Sequence, residues 1–305
     1  MQLDPNSTVG TAFIGDGVGA QTRRAIALVL LSGFLNSFGG LILRSVEEAS
    51  EWQIVFLRTG SFSLALIIYL FWGRVSEGLR SLRNVGTWGF ICALFFCNMQ
   101  TMFIISLSHT AVANTAFILS AGPIVTAFLA RLALGEVIRP GTWLILLLAA
   151  FGVGLMVTDG LSTGNILGDL AAVGTMLSLA GFVVTLRAKR EIDMLPALLI
   201  GGLLASLVSF GAIGGNVDVP ARDLLLCLFW GGILSAVVLA LFTVAARHLK
   251  GAVLMILLMI EYFLGPFWVW LFLSERPTLL ALVGGALIFG GIAAQAYMSR
   301  RDADA

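Results

Sequence analysis

The chain has 305 residues, of which 59% are hydrophobic and 11% charged, with a net charge of +1. That balance lies far outside the soluble range and places the chain among membrane proteins. The near-neutral charge argues against nucleic acid as a partner.

Residues 1–22 are polar and glycine-bearing, without an early basic stretch, and read as a flexible cytoplasmic tail. The first apolar run, about 25–43, is long enough to span and lacks a convincing cleavage site, so a retained helix is expected rather than a signal peptide. Nine further runs follow, at about 52–72, 86–107, 111–133, 141–158, 166–186, 196–214, 224–246, 251–273 and 279–297. The expected fold class is an all-α integral membrane protein of ten transmembrane helices. Asn36 and Ser37 interrupt the first run, and Pro123 weakens the fourth by removing a backbone donor. Connections are short and leave no room for a soluble domain; residues 300–305 form a short cytoplasmic tail. Cys92, Cys97 and Cys227 all fall inside runs, and no disulfide or metal framework is suggested.

Two stretches of this series are copies. His109 and His248 stand 139 positions apart, and the same offset lays Ala113 on Ala252, Glu136 on Glu275 and Gly152 on Gly291. The chain has only two histidines, and both occupy one repeat position. A duplication is therefore expected, with repeats of five helices at 23–160 and 161–299. Five is odd, so the second unit enters the membrane upside down relative to the first. Inverted repeats of this kind place a substrate site near the midplane between the halves. Basic residues set the orientation: Arg23, Arg24, Arg74, Arg80, Arg83, Arg131, Arg139, Arg187, Lys189, Arg190, Arg247, Lys250, Arg300 and Arg301 gather on one side. Only Arg44, Arg222 and Arg276 fall on the other. Fourteen against three puts both termini in the cytoplasm, with a bacterial-type inner membrane as the expected location.

The residues also resemble a known family. Pro123 followed by LALGE at 132–136 and the glycine-rich LLLAAFGVGLMV is similar to the EamA-type unit of the drug/metabolite transporter superfamily. The second half carries the same pattern: GDLAAVGTMLSLAGFVVTLRAK at 168–189, IEYFLGPFWVWLFLSE at 260–275, then GGALIFGGIAA. Arg58 matches an arginine common in the second helix of such units. The resemblance covers about 25–297 and implies a ten-helix carrier of amino acids, metabolites, sugars or drugs, often moved outward. One departure is visible: the family's ninth helix often carries a Glu-Pro pair, whereas Glu261 is followed by Tyr262, and proline comes later at Pro266.

The site residues can be argued without the family. Glu261 lies about ten residues into the ninth run, where an ionised carboxylate costs roughly 2.5–3.5 kcal/mol unless it faces protein or water. It is expected to hold a substrate amine or a coupled proton, near Tyr262 or the polar faces of the third and fourth runs. The competing reading is a structural carboxylate bonded to Arg58 or to hydroxyls and amides. Arg58 stands near the outer end of the second run, and an interfacial anchor that snorkels outward is the reading favoured for it. Turned inward, it would meet an acidic substrate group or Glu261.

Asn98 and Thr101 share a face of the third run, and Asn114, Phe117 and Ser120 share one of the fourth. Trp230 lies in the eighth. Singly, such Ser, Thr and Asn side chains more often join helices, at about 0.6 kcal/mol per contact. Together they suggest an amphiphilic pocket for a small organic solute, with too few charges for a phosphorylated one. Trp268 and Trp270 read as an aromatic belt at the outer interface.

The cavity is expected to be lined by runs one, three, four, six, eight and nine. Runs five and ten carry small residues at four-residue spacing (Ala150, Gly154, Thr158; Ala286, Gly290, Ala294) and read as packing or dimer surfaces. His109 and His248 read as loop residues kept from the duplication, with a pH-gating role as the rival. Glu136 and Glu275 read as helix-terminal residues bonded to loops. An enzyme is not expected, since no nucleophile–base set, carboxylate pair or ligand cluster lies within the runs. No cofactor and no metal are expected. The partners implied are a small organic solute and membrane lipid, with room for a coupled proton and a homodimer. The alternative function is a flippase for a lipid-linked substrate, which would need a lateral opening between helices.

Overall fold

A computed structural model describes residues 20–72, 75–135, 165–189, 194–246 and 260–287, with single positions in 147–155, 257 and 289–290. The described residues are helices and turns, with no strand among them. Among the described residues, seven helical stretches, from Arg23–Arg44 to Ala221–Phe242, are long and apolar enough to cross a membrane. Leu64, Leu94, Leu207 and Ile233 are among many large apolar side chains exposed on their outer faces. An apolar surface of this extent is solvated by lipid, and the protein is a multi-pass membrane protein. Most of the fifth run, the start of the ninth and the end of the tenth lie outside the described residues, as do Glu136, His248, Thr158 and Ala294.

Local chemistry explains where helices start and break. The first run is split into α1 (Ala20–Asn36) and α2 (Gly39–Arg44), parting at Asn36 and Ser37. A capping box starts α3 (Glu51–Phe71): the Gln53 N–H donates to the Ser50 hydroxyl, and the Ser50 N–H donates to the Gln53 amide oxygen at 2.9 Å. The polar helix α4 (Val75–Asn84) leads to α5 (Gly86–His109). The fourth run divides into α6 (Val112–Ser120) and α7 (Gly122–Leu134), with Pro123 in the first turn of α7, where its missing N–H costs little. Then come α8 (Ile166–Ala188) and α9 (Leu195–Ala212). The eighth run consists of α10 (Ala221–Leu228), a π-helical turn at Phe229–Leu234, and α11 (Ser235–Ala246). α12 (Ile260–Leu273) contains Pro266, and residues 279–287 are helical as well.

Polar contacts collect at one face of the bundle. Arg44 pairs with Glu275 at 3.0 Å, and Glu275 also accepts the Val112 N–H at 2.8 Å. His109 meets Glu51 at 2.6 Å, Thr110 donates to Asp169 at 2.7 Å, and Gln53 donates to the Asn216 and Asp218 carbonyls. The buried Asp223 carboxylate accepts the N–H groups of Glu48 (2.8 Å), Ala49 (2.9 Å) and Glu47 (3.3 Å), while Arg222 pairs with Glu47. This face therefore gathers the ends of α2, α5, α9 and α12 with the starts of α3, α6, α8 and α10. The first run arrives there and the sixth departs from it, so the two point in opposite directions.

Packing shows a matching regularity. α5 packs along α8 and α1 along α11; α3 lies against α9; α7 packs on α8, and α1 and α2 on α12. Replacing each run by the one five places later turns the α5–α8 pair into the α11–α1 pair and returns α3–α9 to itself. The main core, with Leu43, Val55, Ile104, Leu107, Val112, Trp230 and Val269, sits where these helices meet.

Candidate functional site

A cavity of about 210 Å³ opens against that core. Among the described residues seven runs contribute: Asn36, Ser37, Gly39 and Gly40 from the first; Arg58 from the second; Met99, Gln100, Phe103 and Leu107 from the third; and Val112, Thr115, Ala116 and Leu119 from the fourth. The sixth gives Thr175 and Leu179, the eighth Trp230, and the ninth Glu261, Tyr262 and Gly265. The second run enters through Arg58, the inward alternative weighed for that residue. Three of these runs break or distort near the cavity: α1 and α2 part after Asn36, the eighth run widens at Trp230, and Pro266 follows Glu261 by five residues.

One wall carries the carboxylate. The Asn36 side-chain amide donates to Glu261 Oε2 at 2.8 Å, across 225 residues of sequence. Tyr262 lines the cavity beside it. The break after α1 places Asn36 there, and it is stapled from outside by Trp268. The Trp268 indole N–H donates to Ser37 Oγ at 2.9 Å, Ser37 in turn donates to the Phe34 carbonyl at 2.6 Å, and the indole stacks on Phe38 at 5.1 Å. Glu261 thus bonds to an amide of the first run, with Tyr262 beside it in the cavity lining. Trp268 therefore packs on the first run, while Trp270 is 50% exposed.

The other wall carries a cation. Arg58 is only 7% exposed, so the outward-snorkelling reading fails: the side chain lies inside the bundle and lines the cavity. Its guanidinium carbon stands 4.4 Å from the Trp230 ring centroid and 5.8 Å from that of Phe103. Two glycines make this stack possible. A Cβ on Gly231 would come within 2.0 Å of the Arg58 carbonyl oxygen, and one on Gly39 within 3.0 Å of the Trp230 ring. The wide π-helical turn leaves backbone groups to satisfy, and Ser235 donates to the Trp230 carbonyl at 2.8 Å.

Of the other residues singled out from sequence, none is among those lining the cavity. Asn98 donates to Ser178 at 2.7 Å, joining α5 to α8. Thr101 and Ser120 return their hydroxyls to carbonyls of their own helices, Cys97 and Phe117. Asn114 donates at 3.3 Å to Thr110 and to Asp169. Phe117 packs edge-on to Phe289 and against Gly285 of the tenth run. The lining polar residues passed over were Gln100, Thr115 and Thr175, together with Asn36 and Ser37, which had been noted only as a helix interruption. Among the described residues, no three His, Cys, Asp or Glu side chains gather as metal ligands.

The arrangement is a small, mostly apolar chamber with a carboxylate on one wall, a guanidinium on another and aromatic rings between. Residues 23–158 match the family described as EamA-like transporters. A solved crystal structure is similar with a TM-score of 0.62 at 18% identity, over 90% of this chain and 98% of its own, a likeness that carries the fold alone. No curated protein matches the sequence.

Proposed function

Because residues 23–158 belong to the EamA-like transporter family of the drug/metabolite transporter superfamily, we propose that this protein is a secondary carrier that exports small organic solutes by alternating access. That family is one of membrane transporters of small solutes rather than of enzymes. We read the architecture as ten helices in two inverted repeats, 23–160 and 161–299, with both termini cytoplasmic in a bacterial-type inner membrane. The opposed first and sixth runs and the exchangeable helix pairs support this reading.

The observation that carries the functional reading is the cavity itself, where Glu261 with Asn36 and Arg58 with Trp230 line one space at the junction of seven runs. Its 210 Å³ is below the roughly 300–1,000 Å³ of drug-sized pockets and favours a metabolite or amino-acid-sized solute. In this reading Glu261 binds a substrate amine or carries a coupled proton, and Tyr262 and Trp230 wall the solute. Asn98, Thr101, Asn114, Phe117 and Ser120 serve the helix contacts around it. The Arg44–Glu275 pair and its neighbours are the tie that the cycle breaks to open that face.

The test is transport by the full chain reconstituted in proteoliposomes, against a panel of amino acids, amines and small metabolites, with and without an imposed pH gradient. Saturable movement of a solute of this size supports the carrier. A folded, reconstituted protein that moves no panel member, while accelerating the transbilayer exchange of labelled lipid-linked sugars, overturns it in favour of a flippase.

A further inference from the structure

Arg58 has no carboxylate partner among the described residues, although it lies in the interior of a membrane protein. Its Nε and Nη1 are buried and make no hydrogen bond. Asp223 accepts three backbone N–H groups and Glu261 bonds through Oε2 to Asn36, neither of them to Arg58. Buried cations are ordinarily paired. Trp230 and Phe103 offer the guanidinium only ring contacts, which supply no hydrogen-bond acceptor lone pair for its in-plane N–H groups.

We propose that Arg58 is the seat for a carboxylate of the transported solute, which supplies the acceptors that the protein withholds. This rests on the carrier reading above and adds to it a substrate class: small organic acids, with Glu261 available for an amine on the same molecule. The planar fork of arginine fits a carboxylate through two parallel N–H bonds, which lysine cannot reproduce. Trp230 fixes the orientation of the fork, and the π-helical turn fixes Trp230. A resident acid would hold Arg58 in a permanent ion pair; with none bonded to it among the described residues, the cation is left for the solute.

The experiment uses matched probes that differ only at the carboxyl: L-leucine, L-leucinamide and isoamylamine, with the corresponding L-phenylalanine, L-phenylalaninamide and phenethylamine. Thermal stabilisation of the purified full chain and counterflow in proteoliposomes are read for each. In the wild type the acids should be preferred at least tenfold over amides and amines. Arg58→Gln should abolish that preference by weakening the acids alone, and Arg58→Lys should retain part of it. Far-UV circular dichroism and monodisperse elution establish that each variant folds. If amides and amines bind and cross as well as the acids in the wild type, or if folded Arg58→Gln keeps the tenfold preference, the carboxylate seat is overturned while the carrier stands. If no probe binds or crosses, the seat falls for these acids, and the panel of the previous section decides separately whether the carrier falls with it.

Discussion

Gly231→Ala adds one methyl group where the π-helical turn lies on α3. The new Cβ would stand 2.0 Å from the Arg58 carbonyl oxygen and 2.3 Å from Ser61 Oγ. Ordinary contact begins near 3.4 Å, so the two segments must part by about 1.4 Å, and the main-chain oxygen cannot rotate away. Overpacking of this kind costs about 1–3 kcal/mol or more. The gain from replacing a helical glycine by alanine, about 0.8–1.0 kcal/mol, offsets only part of it. The neighbouring residue supplies the control: a Cβ on Gly232 would meet Ser61 Cβ at 3.4 Å, an ordinary contact, so Gly232→Ala should be neutral or stabilising by up to about 1 kcal/mol. The assay is the unfolding midpoint of each variant in one detergent, followed by tryptophan fluorescence. Gly231→Ala should unfold first and Gly232→Ala no earlier than wild type. Equal midpoints, or the reverse order, would refute the close approach of Trp230's turn to Arg58.

Asp223→Ala strips the acceptor from the Glu47, Glu48 and Ala49 N–H groups and should cost about 1.5–3 kcal/mol in the same unfolding assay, with faster proteolysis at 46–50. His109→Ala removes a half-exposed contact to Glu51 and should change stability by less than about 1 kcal/mol. Asn36→Ala removes the donor to Glu261; a hydrogen bond to a charged group is worth about 1.5–3 kcal/mol, so transport efficiency should fall tenfold or more in a protein that still folds.

The fold was legible wherever lipid imposes its own arithmetic. Runs of about twenty apolar residues declare themselves by length, and Asn36, Ser37 and Pro123 marked the points at which α1 and α6 end. The site was legible by residue type but not by face. On α5 the cavity takes Met99, Gln100, Phe103 and Leu107, a stripe at helical spacing, and Asn98 and Thr101 flank it. On α6 it takes Val112, Thr115, Ala116 and Leu119, while Asn114 and Phe117 turn to α8 and the tenth run. Both faces of each helix carry polar residues, because interhelical hydrogen bonds and a solute site call for the same side chains. Only the neighbouring helices decide between them. Arg58 escaped for a related reason. Its position near the outer end of a run permits snorkelling, and nothing local reveals that a π-helical turn from a distant segment stacks a tryptophan on it.

Glu261→Gln tests the central claim most directly, because it keeps the shape and one acceptor facing Asn36 and removes the charge. Gradient-driven uptake and solute counterflow are measured side by side in proteoliposomes. If Glu261 carries a coupled proton, gradient-driven uptake should be lost and counterflow retained; if it holds a substrate amine, both should fall together. A folded Glu261→Gln protein that transports at the wild-type rate in both assays would contradict the account and leave Glu261 a structural residue.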